Sequence, residues 1–209
     1  MNLETAFTWL NAETGPALFR EARRLYGVSE YGGTSAAYSN PVIMGWADEV
    51  GVRADYTGDL TAWCGLAMSV IAKRSGYAVV PYPLRAKSWQ AFGVHADVPA
   101  FGDVLIFKRP GGYHVALYVA ESATHYYILG GNQANRFCLA AMDKKDFIEA
   151  RRPAYVIRPY GSRPVIVEGN SLQVVKGARP NPLLLAAGVT AAAGVAVYFL
   201  VNPGKIRTP

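Results

Sequence analysis

The sequence predicts an α+β fold, with helices in the first half of the chain and an antiparallel β-meander in the second. Two observations carry this. Up to residue 92 the apolar residues recur at helical spacing, and from Gly102 the period shortens to that of strands. The turn signals change with it, from isolated glycines that stop helices to a Pro-Gly-Gly hairpin turn at 110–112.

Residues 3–26 read as helical with a break at Gly15–Pro16. The second piece, Ala17 to Tyr26, puts Leu18, Ala22 and Leu25 on one face, and Gly27 stops it. Residues 31–41 are loop, and residues 40–51 restart a helix with Pro41 at its opening position. Residues 61–77, TAWCGLAMSVIAKRSGY, read as the central helix. Thr61 and Asp59 are N-cap candidates and Gly76 a C′ stop. Lys73 and Arg74 complement the dipole, and Leu66, Ala67, Val70 and Ile71 form a buried stripe.

Tyr77 to Pro83 reads as extended, and Arg85 to Phe92 as a short helix carrying Trp89. Strands follow over 102–107, from His114 to about residue 121, from Thr124 to Gly130, and over 136–140. A short helix or turn is expected over 146–152 and a closing strand over 154–158.

The chain has 209 residues, 51% hydrophobic and 17% charged, which suits one ordinary globular domain with something added. Its net charge of +6 comes from scattered basic residues, so no nucleic-acid stripe is expected. Two cysteines and three histidines, without close ligand spacing, predict neither a disulfide framework nor a metal site, and no cofactor motif is present. The N-terminal stretch has no cationic region before an apolar core, so no signal peptide is expected. Residues 183–201 are 19 residues without a charge, which predicts a single-pass transmembrane helix contacting the lipid bilayer, with residues 160–182 as linker and 202–209 as a short tail. Its Ala- and Gly-rich centre suits helix–helix self-association, and flanking cations on both sides leave the orientation open.

Cys64 falls in the first turn of the central helix, where unpaired N–H groups stabilise a thiolate. A packed, inert thiol is the alternative there. A nucleophilic Cys needs a base, and the base an orienting group. His114 opens a strand after a glycine-rich turn. The following hairpin centres near Ser122, which puts residue 114 opposite 130–132 and so opposite Asn132, whose side-chain oxygen can accept from the imidazole. His125 falls about 17 Å along the strand from His114, too far to join the set. His95 falls in a loop before Pro99 and has no role, and Cys138 reads as a packed strand thiol. Gly130 and Gly131 suit either a close-approach groove or a β-bulge.

AWC at a helix start, GDVLIF, HVALYV after a Gly-rich turn, and LGGNQ together resemble the phage-associated peptidoglycan hydrolases of the NlpC and CHAP superfamily of papain-like cysteine peptidases. ARRLYGVSEY, NPVIMGW, DLTAWC and AKSWQAFG fit the same frame, so the resemblance spans about residues 17–158. It implies a papain-like hydrolase domain over 1–159, with Cys64 as nucleophile, His114 as base and Asn132 as third residue, Gln133 being the neighbouring alternative. Tyr56, Asp59, Trp63 and Gln133 are the candidates for binding substrate. The implied activity is cleavage of an amide in peptidoglycan through a thioester, either a peptide bond or the sugar–peptide amide. An inactive wall-binding protein and an acyltransferase are the alternatives. Trp63 stands where many NlpC-type enzymes have Asp, so their substrate reading does not carry over. With the tail, the resemblance implies a virion membrane or a host inner membrane as location, in a virion- or lysis-associated role.

Overall fold

The computed structural model describes residues 7–11 and 15–153. The first helix, α1, spans Ala17–Arg24; α2 spans Pro41–Val50, and α3 spans Cys64–Arg74. Six strands follow: β1 Val94–Ala96, β2 Val104–Arg109, β3 Gly112–Glu121, β4 His125–Gln133, β5 Arg136–Asp143 and β6 Phe147–Arg152. They form one antiparallel sheet in the order β1-β6-β2-β3-β4-β5. The α+β expectation holds for this region.

The membrane part of the expected fold is corrected. Among the described residues no helix is long and apolar enough to cross a membrane. The helix expected over 183–201 lies outside the described residues, as do the closing strand over 154–158 and the linker over 160–182. The described residues form an α+β domain built on a six-stranded antiparallel sheet, with no membrane-spanning helix among them.

Local chemistry explains the helices. Asn40 caps α2, its Oδ1 accepting from Val42 N–H at 2.8 Å, with Pro41 in the first turn and Gly51 left-handed at the end. Gly76 ends α3 at φ +80°, with Gly76 N–H on the Lys73 carbonyl and Tyr77 N–H on the Ala72 carbonyl, a Schellman closure. Arg74 then clamps α3 to α2 through Glu49, at 2.9 Å from Nε and 2.6 Å from Nη2.

Two elements depart from the sequence reading. Residues 147–152, expected as helix or turn, form β6, because the segment is gripped between β1 and β2 and tertiary pairing overrides the helix propensity of Glu149 and Ala150. His95, expected in a loop, lies in β1, across from Arg151.

The pleat divides the sheet's side chains. Val104, Ile106, Val115, Leu117, Val119 and Leu129 join one core with Leu66, Ala67, Val70 and Ile71 of α3. Leu105, Phe107, Ala116, Tyr118, Tyr126 and Ile128 form a second cluster with Ala150 and Phe147. Burial of both sets explains why β2 and β3 read as almost continuous apolar runs.

Gly131 sets how closely α3 approaches the sheet. A Cβ there would lie 2.5 Å from the Trp63 ring and 2.9 Å from the Ala67 Cβ. Gly131→Ala is expected to destabilise the domain by about 1–3 kcal/mol, the scale of core overpacking, readable as a lower denaturation midpoint with unchanged slope.

Candidate active site

Cys64 is the first residue of α3, and no side chain caps the helix start at Trp63. The first-turn N–H groups are therefore open to the sulfur. The residue is 2% exposed. Burial pushes the Cys64 thiol up; the N–H of Val115, the charge of Arg109 and the N–H groups of Gly65 and Cys64 pull against it.

Val115 follows His114 in β3, so the strand that carries the imidazole touches the sulfur directly. His114 stands across from Phe107 and is wholly buried. Its Nε2 lies 3.0 Å from Gln133 Oε1. Gln133 is held in turn, its amide nitrogen donating to the Cys138 carbonyl and its own carbonyl accepting from Cys138 Sγ at 3.3 Å. Because the amide nitrogen is committed to Cys138, the oxygen must face His114, and Nε2 must carry the proton. Nδ1 is then the basic nitrogen. It is buried and makes no hydrogen bond, neither with the sulfur nor with any other group, in this resting state. Burial lowers the His114 pKa from 6.5 to about 4, against the raising effect of Gln133, and the Arg109 charge lowers it further.

The third position differs from the first choice made on sequence. The β3–β4 ladder runs to Leu117–Leu129, a register that would set residue 132 opposite 114, as expected. The strands do not keep to it. A shift follows Gly130, and Asn132 turns left-handed at φ +56°, so Gln133 and not Asn132 meets the imidazole. Ala134 and Asn135, both at positive φ, then close a two-residue hairpin into β5. The sequence sign was GGNQAN, a run tolerant of positive φ, where a bulge moves every later side chain by one place.

The other expected binding residues are structural here. Asp59 is buried and accepts from the N–H groups of Tyr31, Gly33 and Asn40, each at 2.7 Å, while Ser39 Oγ accepts from its own N–H at 3.0 Å. It fastens the 31–40 loop and does not cap α3. Trp63 is buried, with Nε1 donating to Glu30 at 2.7 Å. Tyr56 is buried with its hydroxyl on the Thr61 carbonyl at 3.3 Å, and burial raises its pKa. None of the three lines an open groove.

Sequence reasoning missed the Val115 N–H, which no residue type announces, and Arg109, whose charge acts on both Cys64 and His114. The cavity of about 280 Å³ lined by Phe7, Leu10, Phe19 and Leu139 together with Asn11 and Arg23 includes neither Cys64 nor His114. Among the described residues no group of three or more His, Cys, Asp or Glu side chains is arranged to hold a metal ion.

No family model matches this chain, and no curated protein matches it. The resemblance to NlpC and CHAP hydrolases therefore rests on its motifs alone.

Two measurements test the site's electrostatics. Burial alone would raise the Asp59 carboxyl, but the N–H groups of Asn40, Tyr31 and Gly33 and the Ser39 hydroxyl hold it below its usual value. A depressed carboxyl contributes stability above its unfolded-state pKa, and that stability is lost as pH falls through the folded one. Asp59→Asn should cost on the order of 3 kcal/mol at neutral pH and flatten the acid limb of a stability–pH curve. For His114 the unfolded chain binds the proton more tightly, so stability falls as pH drops from 6.5 toward about 4. His114→Gln should flatten that window, and a nitrogen–proton correlation spectrum at neutral pH should show His114 protonated at Nε2 only. A proton on Nδ1 would refute the tautomer.

Proposed function

We propose that the protein is a cysteine hydrolase that cleaves an amide bond in peptidoglycan, with Cys64 as nucleophile, His114 as base and Gln133 as the residue that orients the imidazole. The observation that carries the reading is the locked Nε2–H tautomer of His114, whose unpartnered Nδ1 lies on the strand that touches the Cys64 sulfur. Most buried histidines have both nitrogens satisfied, so the bare Nδ1 supports a chemical role. The substrate class comes from the AWC, GDVLIF, HVALYV and LGGNQ motifs and their resemblance to wall hydrolases.

Nδ1 takes the thiol proton as sulfur bonds to the carbonyl carbon, and the carbonyl oxygen becomes an oxyanion. The N–H groups of Cys64 and Gly65, open at the start of α3, are the donors nearest this developing charge. The imidazolium then returns the proton to the leaving nitrogen as the C–N bond breaks, leaving a thioester and a free amine. Water, deprotonated by the same Nδ1, attacks the thioester. A carboxylic acid departs and the thiol is restored.

The closure of the pair favours a second reading, in which the domain binds the wall without cutting it: the sulfur and the imidazole are sealed from solvent and the thiol is pushed up.

Digestion of purified murein with product analysis by mass spectrometry separates the two. Wild-type protein should release new amine and carboxyl ends, and Cys64→Ser and His114→Gln should release none while still unfolding in one cooperative transition. Gln133→Ala should lower kcat about a hundredfold, the cost of a misaimed catalytic group, whereas Asn132→Gly stays near wild type. Full activity in Cys64→Ser sinks the hydrolase. Sedimentation of intact wild-type protein with murein, without any cut, would leave the binding reading.

A further inference from the structure

The β2–β3 hairpin forms the wall of a cleft of about 500 Å³, lined by Lys108, Arg109, Pro110, Gly111, Gly112, Tyr113, Lys145 and Asp146. Its lining includes three cations, Lys108, Arg109 and Lys145, and one carboxylate, Asp146; Lys145 is also paired with Asp143 at 3.0 Å. Arg109 is half-buried, and among the described residues neither its side chain nor that of Lys108 has an ion-pair or hydrogen-bond partner. A half-buried guanidinium without a side-chain partner keeps its planar fork available to a planar anion. Gly111 at φ +83° and Gly112 at φ +150° keep the hairpin tip free of side chains beside it.

The cleft adjoins the candidate active site. Arg109 pairs with Gly112, Lys108 with Tyr113 and Phe107 with His114, so the cleft begins one residue before the imidazole on the same strand. Lys87, over the Tyr113 ring at 5.5 Å, adds a fourth cation along that edge. The influence of Arg109 on both Cys64 and His114 agrees with this nearness.

We propose that Arg109, flanked by Lys108 and Lys145, docks a free carboxylate of a peptide substrate, so that the amide presented to Cys64 lies within a residue or so of an acidic or C-terminal carboxyl group. This deepens the hydrolase reading and rests on it for the word substrate; the anion site itself does not. Carboxylate geometry matches the guanidinium fork. A phosphate could offer the same charge, and the test separates the two. Asp146, on the cleft wall, disfavours anions that do not reach the fork.

The test uses full-length Cys64→Ala protein, which cannot turn over, and short peptides with either a free carboxylate or its carboxamide next to the amide. The carboxylate peptide should bind saturably and at least about tenfold more tightly than the carboxamide, the scale of one charge-assisted contact. Arg109→Gln should erase that difference, Arg109→Lys should keep part of it, and Lys108→Gln should weaken it less. Equal binding of the two peptides, an unchanged preference in Arg109→Gln, or displacement by inorganic phosphate at the same concentration as the peptide would each overturn the proposal. Carboxylate-selective binding by a protein that cuts no murein would leave this site standing and remove the hydrolase. Murein cutting without selective binding would do the reverse.

Discussion

The contact between the first turn of α3 and the parting strands β3 and β4 sets the geometry on which the rest depends. The β3–β4 ladder ends at Leu117–Leu129, and beyond it the Val115 N–H serves the Cys64 sulfur. A strand that stayed paired would have spent that N–H on a carbonyl. The parting is built by Gly130, Gly131 and the left-handed Asn132, and Gly131 then admits Trp63 and Ala67 to the vacated space. One local irregularity thus exposes a donor, seats the helix and delivers Gln133 to the imidazole.

Around that contact the chain is tied by a relay of hydrogen bonds. Gly27 donates to the Phe137 carbonyl, Phe137 to Val28 and Glu30 to Asn135, which zips residues 27–30 onto β5 and its turn. The Glu30 carboxylate then takes the Trp63 indole N–H, one residue before Cys64. Asp59 collects the loop that follows, and Ser39 and Asn40 pass the connection to α2. Each tie is modest taken singly, but each satisfies a group whose loss underground would be costly. The residues that looked like a substrate wall in DLTAWC are instead the ones that hold Cys64 still.

Much of this was legible in the sequence because it is local. The Asn40-Pro41 start, the Gly76 stop, the Pro110 turn and the Cys64 and His114 positions follow from propensity, capping and period. What failed was non-local. The β6 strand exists only because β1 and β2 grip it from either side, which FIEARR does not announce. Asn132 was preferred over Gln133 because a regular ladder was carried one residue past the bulge, and a one-residue error reverses every facing. Asp59 stood at a good capping distance from Cys64, but its carboxylate serves three amides from a loop twenty to thirty residues upstream.

The same burial that organises the site fixes its resting chemistry. It raises the thiol and lowers the imidazole, so it drives the two groups toward their neutral forms from opposite sides. Burial therefore opposes a preformed thiolate–imidazolium pair, and forming one needs something that offsets the cost of charge in a closed pocket. The Val115, Gly65 and Cys64 N–H groups offset part of it, because they already point at the place where negative charge would form. Arg109 favours the thiolate but opposes the imidazolium, so by itself it cannot create the pair. An anion seated on Arg109 would cancel that opposition and ease protonation of His114, while weakening the pull on sulfur. Which effect wins depends on which group lies nearer the guanidinium. Under the proposed chemistry, anion docking on Arg109 and proton transfer from Cys64 to His114 would be coupled through one side chain that belongs to neither group.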